Sequence, residues 1–300
     1  MKRRRRYRNI VSHITTLELI QSDDSGLLMD GDLFSDLTGG RGTDLFLGQY
    51  SERGIMFALK KLGLLDRVKR KGLDNLSVFM DTSRPFQHLF RLHHNEDGKH
   101  HLVAELVMRR GTFTPPEIKS TKGNSWDILV VEWLMLQNHL ASFSSRSPQL
   151  PHQDCPGLGL AQEALEIFYW MGRRARCDGV LIIPNSVAAA MIYSGEFAFL
   201  DPCRQGMMKS IQKLCKQHSL AQVAWAWEEG KIVGKKEGKM DKWKPAEMLL
   251  PTSRSTKKYF RSRSYRGRVK KKKSKYMTTK STSPIPHSPP ALGTCSTQKS

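Results

Sequence analysis

Residues 126–138, WDILVVEWLMLQN, constrain the fold of this chain more than any other stretch. Only Asp127 and Glu132 bring charge into the run. It is too short for a bilayer span, which needs roughly 18 or more apolar residues. It is also too uniformly apolar to alternate between a core face and a wet face. A strand buried on both faces meets these demands. Such a strand lies inside a sheet that helices cover, so the rest of the chain is expected to supply both.

It does so in a readable order. Ser51-Glu52 opens a helix whose apolar stripe is Ile55, Phe57, Ala58, Leu59, Leu62, Leu64 and Leu65, and Gly72 closes the segment. LSVFMDT (76–82), FQHLFRLHH (86–94) and HLVAELVMRR (101–110) read as strands, the last two joined through Asn95-Glu96-Asp97-Gly98 as a hairpin. After a polar linker, 139–156, the residues Leu160, Ala164, Ile167, Phe168 and Met171 recur at helical spacing over 161–177. A strand (180–184), a short helix (186–195), a strand (197–201) and a helix (203–218) follow. LAQVAWAWEEG (220–230) fits either a strand or a helix. The expected class is α/β in the α+β sense: a mixed, mostly antiparallel central sheet flanked by helices.

The formal charge of +21 suggests a polyanion binder until it is partitioned. Residues 1–8 carry six basic side chains and residues 251–300 carry fourteen, with no acid in either, which leaves 29 bases against 28 acids over 9–250. Charge therefore describes the two ends. The expected organisation is a basic tail at 1–8, an irregular segment at 9–50, a folded domain at 51–230, and a disordered basic Ser/Thr/Pro-rich tail at 231–300. RSRSYRGRVKKKKSKY (261–276) could neutralise phosphates while its tyrosines stack on bases, so non-specific nucleic-acid contact through 1–8 and 251–300 is one expectation. A targeting signal, an anionic surface or plain solubility fit the same composition. Five scattered cysteines without a CxxC pair, no apolar span and no secretory h-region give a cytoplasmic protein with free thiols and no membrane span.

The chemistry centres on the turn Pro156-Gly157-Leu158-Gly159-Leu160-Ala161 between the buried strand and the long helix. Glycines bring backbone N–H groups close to a ligand, and a helix N-terminus adds partial positive charge. A plain tight loop explains the same residues. No Gly-Lys-Ser/Thr follows, so this is not a Walker loop, and no third glycine makes it a dinucleotide fingerprint. With the strand–helix–strand order that follows, the stretch resembles the acyl-CoA-binding core of the GNAT N-acetyltransferase superfamily. Gly157 and Gly159 stand at the two small positions of that family's pyrophosphate loop, and Asn185, Ala189, Tyr193 and Phe197 stand near its later pattern. Asp154 occupies the position where the family has Gln or Arg.

The resemblance implies an acyl-CoA-dependent N-acyltransferase moving an acetyl group to an amine of unknown identity, with acetyl-CoA or another acyl-CoA as cofactor. The turn residues Gly157, Leu158, Gly159, Leu160 and Ala161, with Asn185, would hold the cofactor, and Tyr193 would protonate the leaving thiolate. The alternative is a binding protein that keeps this fold without catalysis and contacts nucleic acid or an acidic partner through its basic tails. For the base, Glu132 is an acid in an apolar strand whose burial would raise its pKa, and Glu105 is an equal candidate. Cys155 beside the turn lacks a histidine partner in the sequence. His93, His94, His100 and His101 flank the hairpin, but alternation puts only two on each face, and no Cys or Asp completes a zinc set. No metal is expected.

Overall fold

A computed structural model describes Tyr7 and residues 9–20, 45–84, 86–115, 125–233, 242–273 and 278–279. Seven strands pair in the order β1-β2-β3-β4-β5-β8-β6. They are β1 (Leu76–Arg84), β2 (Gln87–Glu96), β3 (Lys99–Phe113), β4 (Trp126–Leu136), β5 (Gly179–Ile182), β6 (Ala198–Phe199) and β8 (Met248–Pro251). β7 (Ile232–Val233) and β9 (Thr278–Thr279) form a separate antiparallel pair. The mixed α/β class expected from sequence is the class found. Met1–Arg110 with Val131–Leu140 makes one compact unit, and Gly111–Val130 with Ala141–Ser300 makes the second.

In the first unit β1, β2 and β3 form an antiparallel meander, with Phe90 opposite Leu106 and His94 opposite His101. Period-two alternation buries His88, Phe90, Leu92 and His94 along β2. A bulge between Leu92 and His93 resets the pairing with β3. Helix α1 (Thr16–Ile20) precedes α2 (Glu52–Lys61), whose N-cap Ser51 accepts the Gly54 N–H. The single helix expected from 52 onward is two, because Gly63 adopts φ +69° and α3 (Leu64–Lys69) starts afresh. The expectation that 9–50 is irregular misses α1; residues 21–44, like 1–6 and 8 of the basic N-terminus, lie outside the described residues. Among the described residues no helix is long and apolar enough to cross a membrane.

The second unit packs helices α4 (Ala161–Arg174), α5 (Val187–Tyr193), α6 (Pro202–Leu214), α7 (Leu220–Glu228), α8 (Arg254–Arg261) and α9 (Arg263–Lys273) with β5, β6 and β8. The ambiguous segment 220–230 is helical, fixed by a Ser219/Gln222 capping box. Here the expected boundaries need correction. β8, beyond the expected domain end at 230, pairs antiparallel with β5 and β6 and contributes Met248, Leu249 and Leu250 to the core. Residues 242–273, assigned by composition to a disordered tail, are folded. Tyr259, Tyr265 and Val269 lie in one buried cluster with Trp126, Ile128, Val130, Leu181, Leu200 and Leu249. The Tyr259 and Tyr265 hydroxyls donate to the carbonyls of Leu200 (2.6 Å) and Phe199 (2.5 Å). Tyr259, Tyr265 and Val269, with Phe260 packed beside them, are enough to seat two helices rich in lysine and arginine, and average composition hides them. Residues 274–277 and 280–300 lie outside the described residues.

Thr252 and Thr256 tie this C-terminal segment to the end of the α4–β5 loop. Their hydroxyls donate to the carbonyls of Cys177 (2.5 Å) and Asp178 (2.7 Å), while the Asp178 N–H donates to Asp127 O at 2.6 Å. Cys177, Cys203 and Cys215 form no disulfide.

Candidate functional site

The order implied by the resemblance is the order observed: strand β4, the turn at 156–160, helix α4, strand β5, helix α5 and strand β6. Helix α4 forms because Leu165, Phe168 and Gly172, spaced three and four apart, share a buried face. The turn before it alternates. Pro156, Leu158 and Leu160 are buried, whereas Gly157 and Gly159 are exposed. The leucines anchor the turn and the glycines put bare backbone at its rim. Gly159 holds φ +64° with open space where a Cβ would stand, so its missing side chain serves backbone conformation rather than packing.

The N-cap residue Leu160 makes no side-chain capping bond. By contrast Ser51, Ser186, Asp201, Ser219 and Ser253 cap α2, α5, α6, α7 and α8. The orphan N–H groups of the first turn of α4 are thus left by its own cap without a side-chain acceptor. Charge around them is mixed. Asp154 is exposed nearby in sequence, and Glu163, third in the helix, is buried at 3% exposure. A carboxylate there favours the helix dipole itself but competes with an incoming anion. Nothing in the sequence pattern marked Glu163 as buried.

Tyr193 ends α5, with its ring 6.2 Å from that of Phe197. Burial pushes its phenol above the ordinary value, so it stays protonated at neutral pH. The segment just after it reaches the turn: a Cβ at Gly195 would stand 3.6 Å from Gln162 Oε1, in the first turn of α4. Tyr193 and the glycine turn are therefore brought to the same end of the second unit. Asn185 is exposed and immediately precedes Ser186, which caps α5 by accepting the Ala189 N–H.

The expected burial of Glu132 is absent. Its side chain is 29% exposed in the first unit, and its two oxygens accept from Arg109 Nε (2.6 Å) and Gln87 Nε2 (2.5 Å). Glu105 is likewise paired, with Arg91 Nε at 2.6 Å. Strand alternation places both acids opposite arginines of neighbouring strands, which a view of the single strand could not disclose. Cys155 is buried just ahead of the turn.

The histidines sort by face as alternation requires: His93 stands by His100, and His94 by His101. The second pair gains a member unforeseen in the sequence. His139, just past β4, stacks on His101 with centroids 4.3 Å apart and lies 5.3 Å from His94. Burial, with His101 and His94 beside it, holds His139 below the usual imidazole value, partly opposed by Glu96.

No family model matches this chain, and no curated protein matches it. Two solved structures are similar. The AtaTR complex bound with AcCoA shares 11% identity at a TM-score of 0.28, over 71% of this chain and 91% of that one. A point mutant of the AtaT toxin, bound to the C-terminus of the antitoxin AtaR and acetyl-CoA, shares 12% identity at a TM-score of 0.27, over 74% and 89%. At this degree of overlap the activity has to be argued from the chain's own residues.

Proposed function

We propose that the chain is an acyl-CoA-dependent N-acyltransferase that moves an acetyl group to an amine. The observation that carries this reading is the α4 N-terminus, whose cap supplies no side-chain acceptor and whose turn offers exposed backbone at Gly157 and Gly159. The amides from Gly157 to Ala161 would take the CoA pyrophosphate, and Asn185 would contact the cofactor elsewhere. Tyr193 would give its proton to the departing thiolate. Its raised pKa keeps that proton in place until the thiolate develops. Glu132 and Glu105, each held by an arginine, are not assigned the base. The test is a thermal shift with acetyl-CoA followed by a thiol-release assay. Acetyl-CoA at 100 times its dissociation constant should add about 2.7 kcal/mol, several degrees for a domain of this size. Tyr193→Phe should keep that shift and lose turnover by about 100-fold. No shift at millimolar cofactor would defeat the cofactor site, and undiminished turnover in Tyr193→Phe would defeat the acid.

A second reading, a binding protein without catalysis, is favoured by the acids at Asp154 and Glu163 and by helix α9. That helix exposes Arg263, Arg266, Arg268 and Lys270 while burying Tyr265 and Val269. Its basic face, not Tyr265, would meet nucleic-acid phosphates. Changing Arg263, Arg266 and Arg268 to Gln should shallow the salt dependence of polyanion retention by about three contacts' worth of slope. An unchanged slope would count against it.

A further inference from the structure

The row of imidazoles in the first unit provides a second, independent site. β2 delivers His94 and Glu96, and the chain just beyond β4 delivers His139. His94 is 5% exposed and fixed in the sheet, whereas Glu96 lies at the exposed end of β2. His94 Nδ1 and His139 Nε2 are 3.3 Å apart, and one ligand atom from each of His94, Glu96 and His139 lies within 4.8 Å of the other two. Two nitrogens each about 2.05 Å from a tetrahedral metal ion stand about 3.3 Å from one another, so this separation already matches one edge of the coordination tetrahedron.

We propose that His94, His139 and Glu96 form a binding site for a late first-row divalent cation, zinc in the first instance. His94 and His139 supply neutral imidazole nitrogens and Glu96 a carboxylate oxygen, and the fourth position stays open to water. Imidazole with one carboxylate suits zinc better than calcium or magnesium, which take oxygen ligands. Among the described residues no ion pair or hydrogen bond claims the Glu96 carboxylate, so it is available to swing the remaining distance as the ion enters from solvent. His101, stacked on His139, restricts that ring to an orientation facing His94. The ion would tie the end of β2 to the chain beyond β4, and β3 runs between them. A site of this kind could not be read from hairpin spacing, because His139 stands 43 residues beyond Glu96 and only strand order brings it close.

The competing account of the 3.3 Å contact is a plain hydrogen bond between two imidazoles, and a metal titration separates the two. The full chain is titrated with Zn2+ against a chromogenic chelator, and with Co2+ to read the visible d–d bands of the bound ion. The expected result is one Zn2+ per chain, an intense four-coordinate Co2+ spectrum and a raised melting temperature. Glu96→Gln, an exposed change that leaves both imidazoles and the fold in place, should weaken zinc at least tenfold and alter the Co2+ spectrum. His139→Gln should do the same. His152→Gln, on an exposed position of the second unit, should leave both readouts unchanged. Failure to saturate at one equivalent overturns the site, as does unchanged binding in Glu96→Gln and His139→Gln. Equal weakening in His152→Gln overturns it too, since that marks diffuse capture by surface histidines.

Discussion

At the scale of the residue, close approach is what the core tolerates least. Gly172 on α4 leaves no room for a methyl group: a Cβ there would meet Val180 Cγ2 at 2.9 Å and Thr252 Cγ2 at 3.1 Å, both on short, β-branched side chains. Gly172→Ala should therefore cost about 1–3 kcal/mol by overpacking, despite the higher helix propensity of alanine. Chemical denaturation checks this, and a stabilised variant would show that α4 can move off β5. Tyr265 makes the opposite case, in which a polar atom is indispensable. Tyr265→Phe leaves the buried Phe199 carbonyl without its 2.5 Å donor, and the expected loss is about 1–3 kcal/mol.

At the scale of the element, α8 and α9 decide what can be removed. Ending the chain after Pro251 would strip Tyr259, Tyr265 and Val269 from the cluster around Trp126 and Leu249. Burying a large aromatic side chain contributes several kcal/mol, against a total stability of about 5–15 kcal/mol. The truncated chain should lose cooperative melting or precipitate, whereas ending it after Thr279, which keeps the β7–β9 pair, should leave the melting temperature within a few degrees. A stable, soluble truncation at 251 would return these helices to the status of a detachable tail. Helix α4 shows the complementary point. Its N-terminus has no side-chain cap, while α5, α6, α7 and α8 are capped by Ser or Asp, and that difference appears only when the caps are compared as geometry.

At the scale of the whole molecule, the buried phenols set how the fold responds to alkali. Burial, and then Asp201, raise Tyr259 to about 12, and burial, Tyr259 and Asp201 raise Tyr265 further. A phenol ionises near pH 10 when unfolded, so each group stabilises the native state fully below pH 10 and loses that contribution as pH rises through its folded value. Stability should fall between pH 10 and about 12, and Tyr259→Phe should flatten that fall. A profile that is level across this range in the parent chain would show that neither phenol is buried in solution. The sequence by itself determined the α/β class, most elements of the sheet and the glycine turn before a long helix, because apolar periodicity and turn chemistry are local properties of the chain. It misjudged the basic C-terminal helices, since a few buried side chains do not register in a composition dominated by lysine and arginine. Only the tertiary structure decided that Glu132 and Glu105 face arginines, that Glu163 is buried, and that His139 joins His94 and Glu96. Each of those facts depends on which strands and helices become neighbours, and that is settled by the packing of residues far apart in the chain.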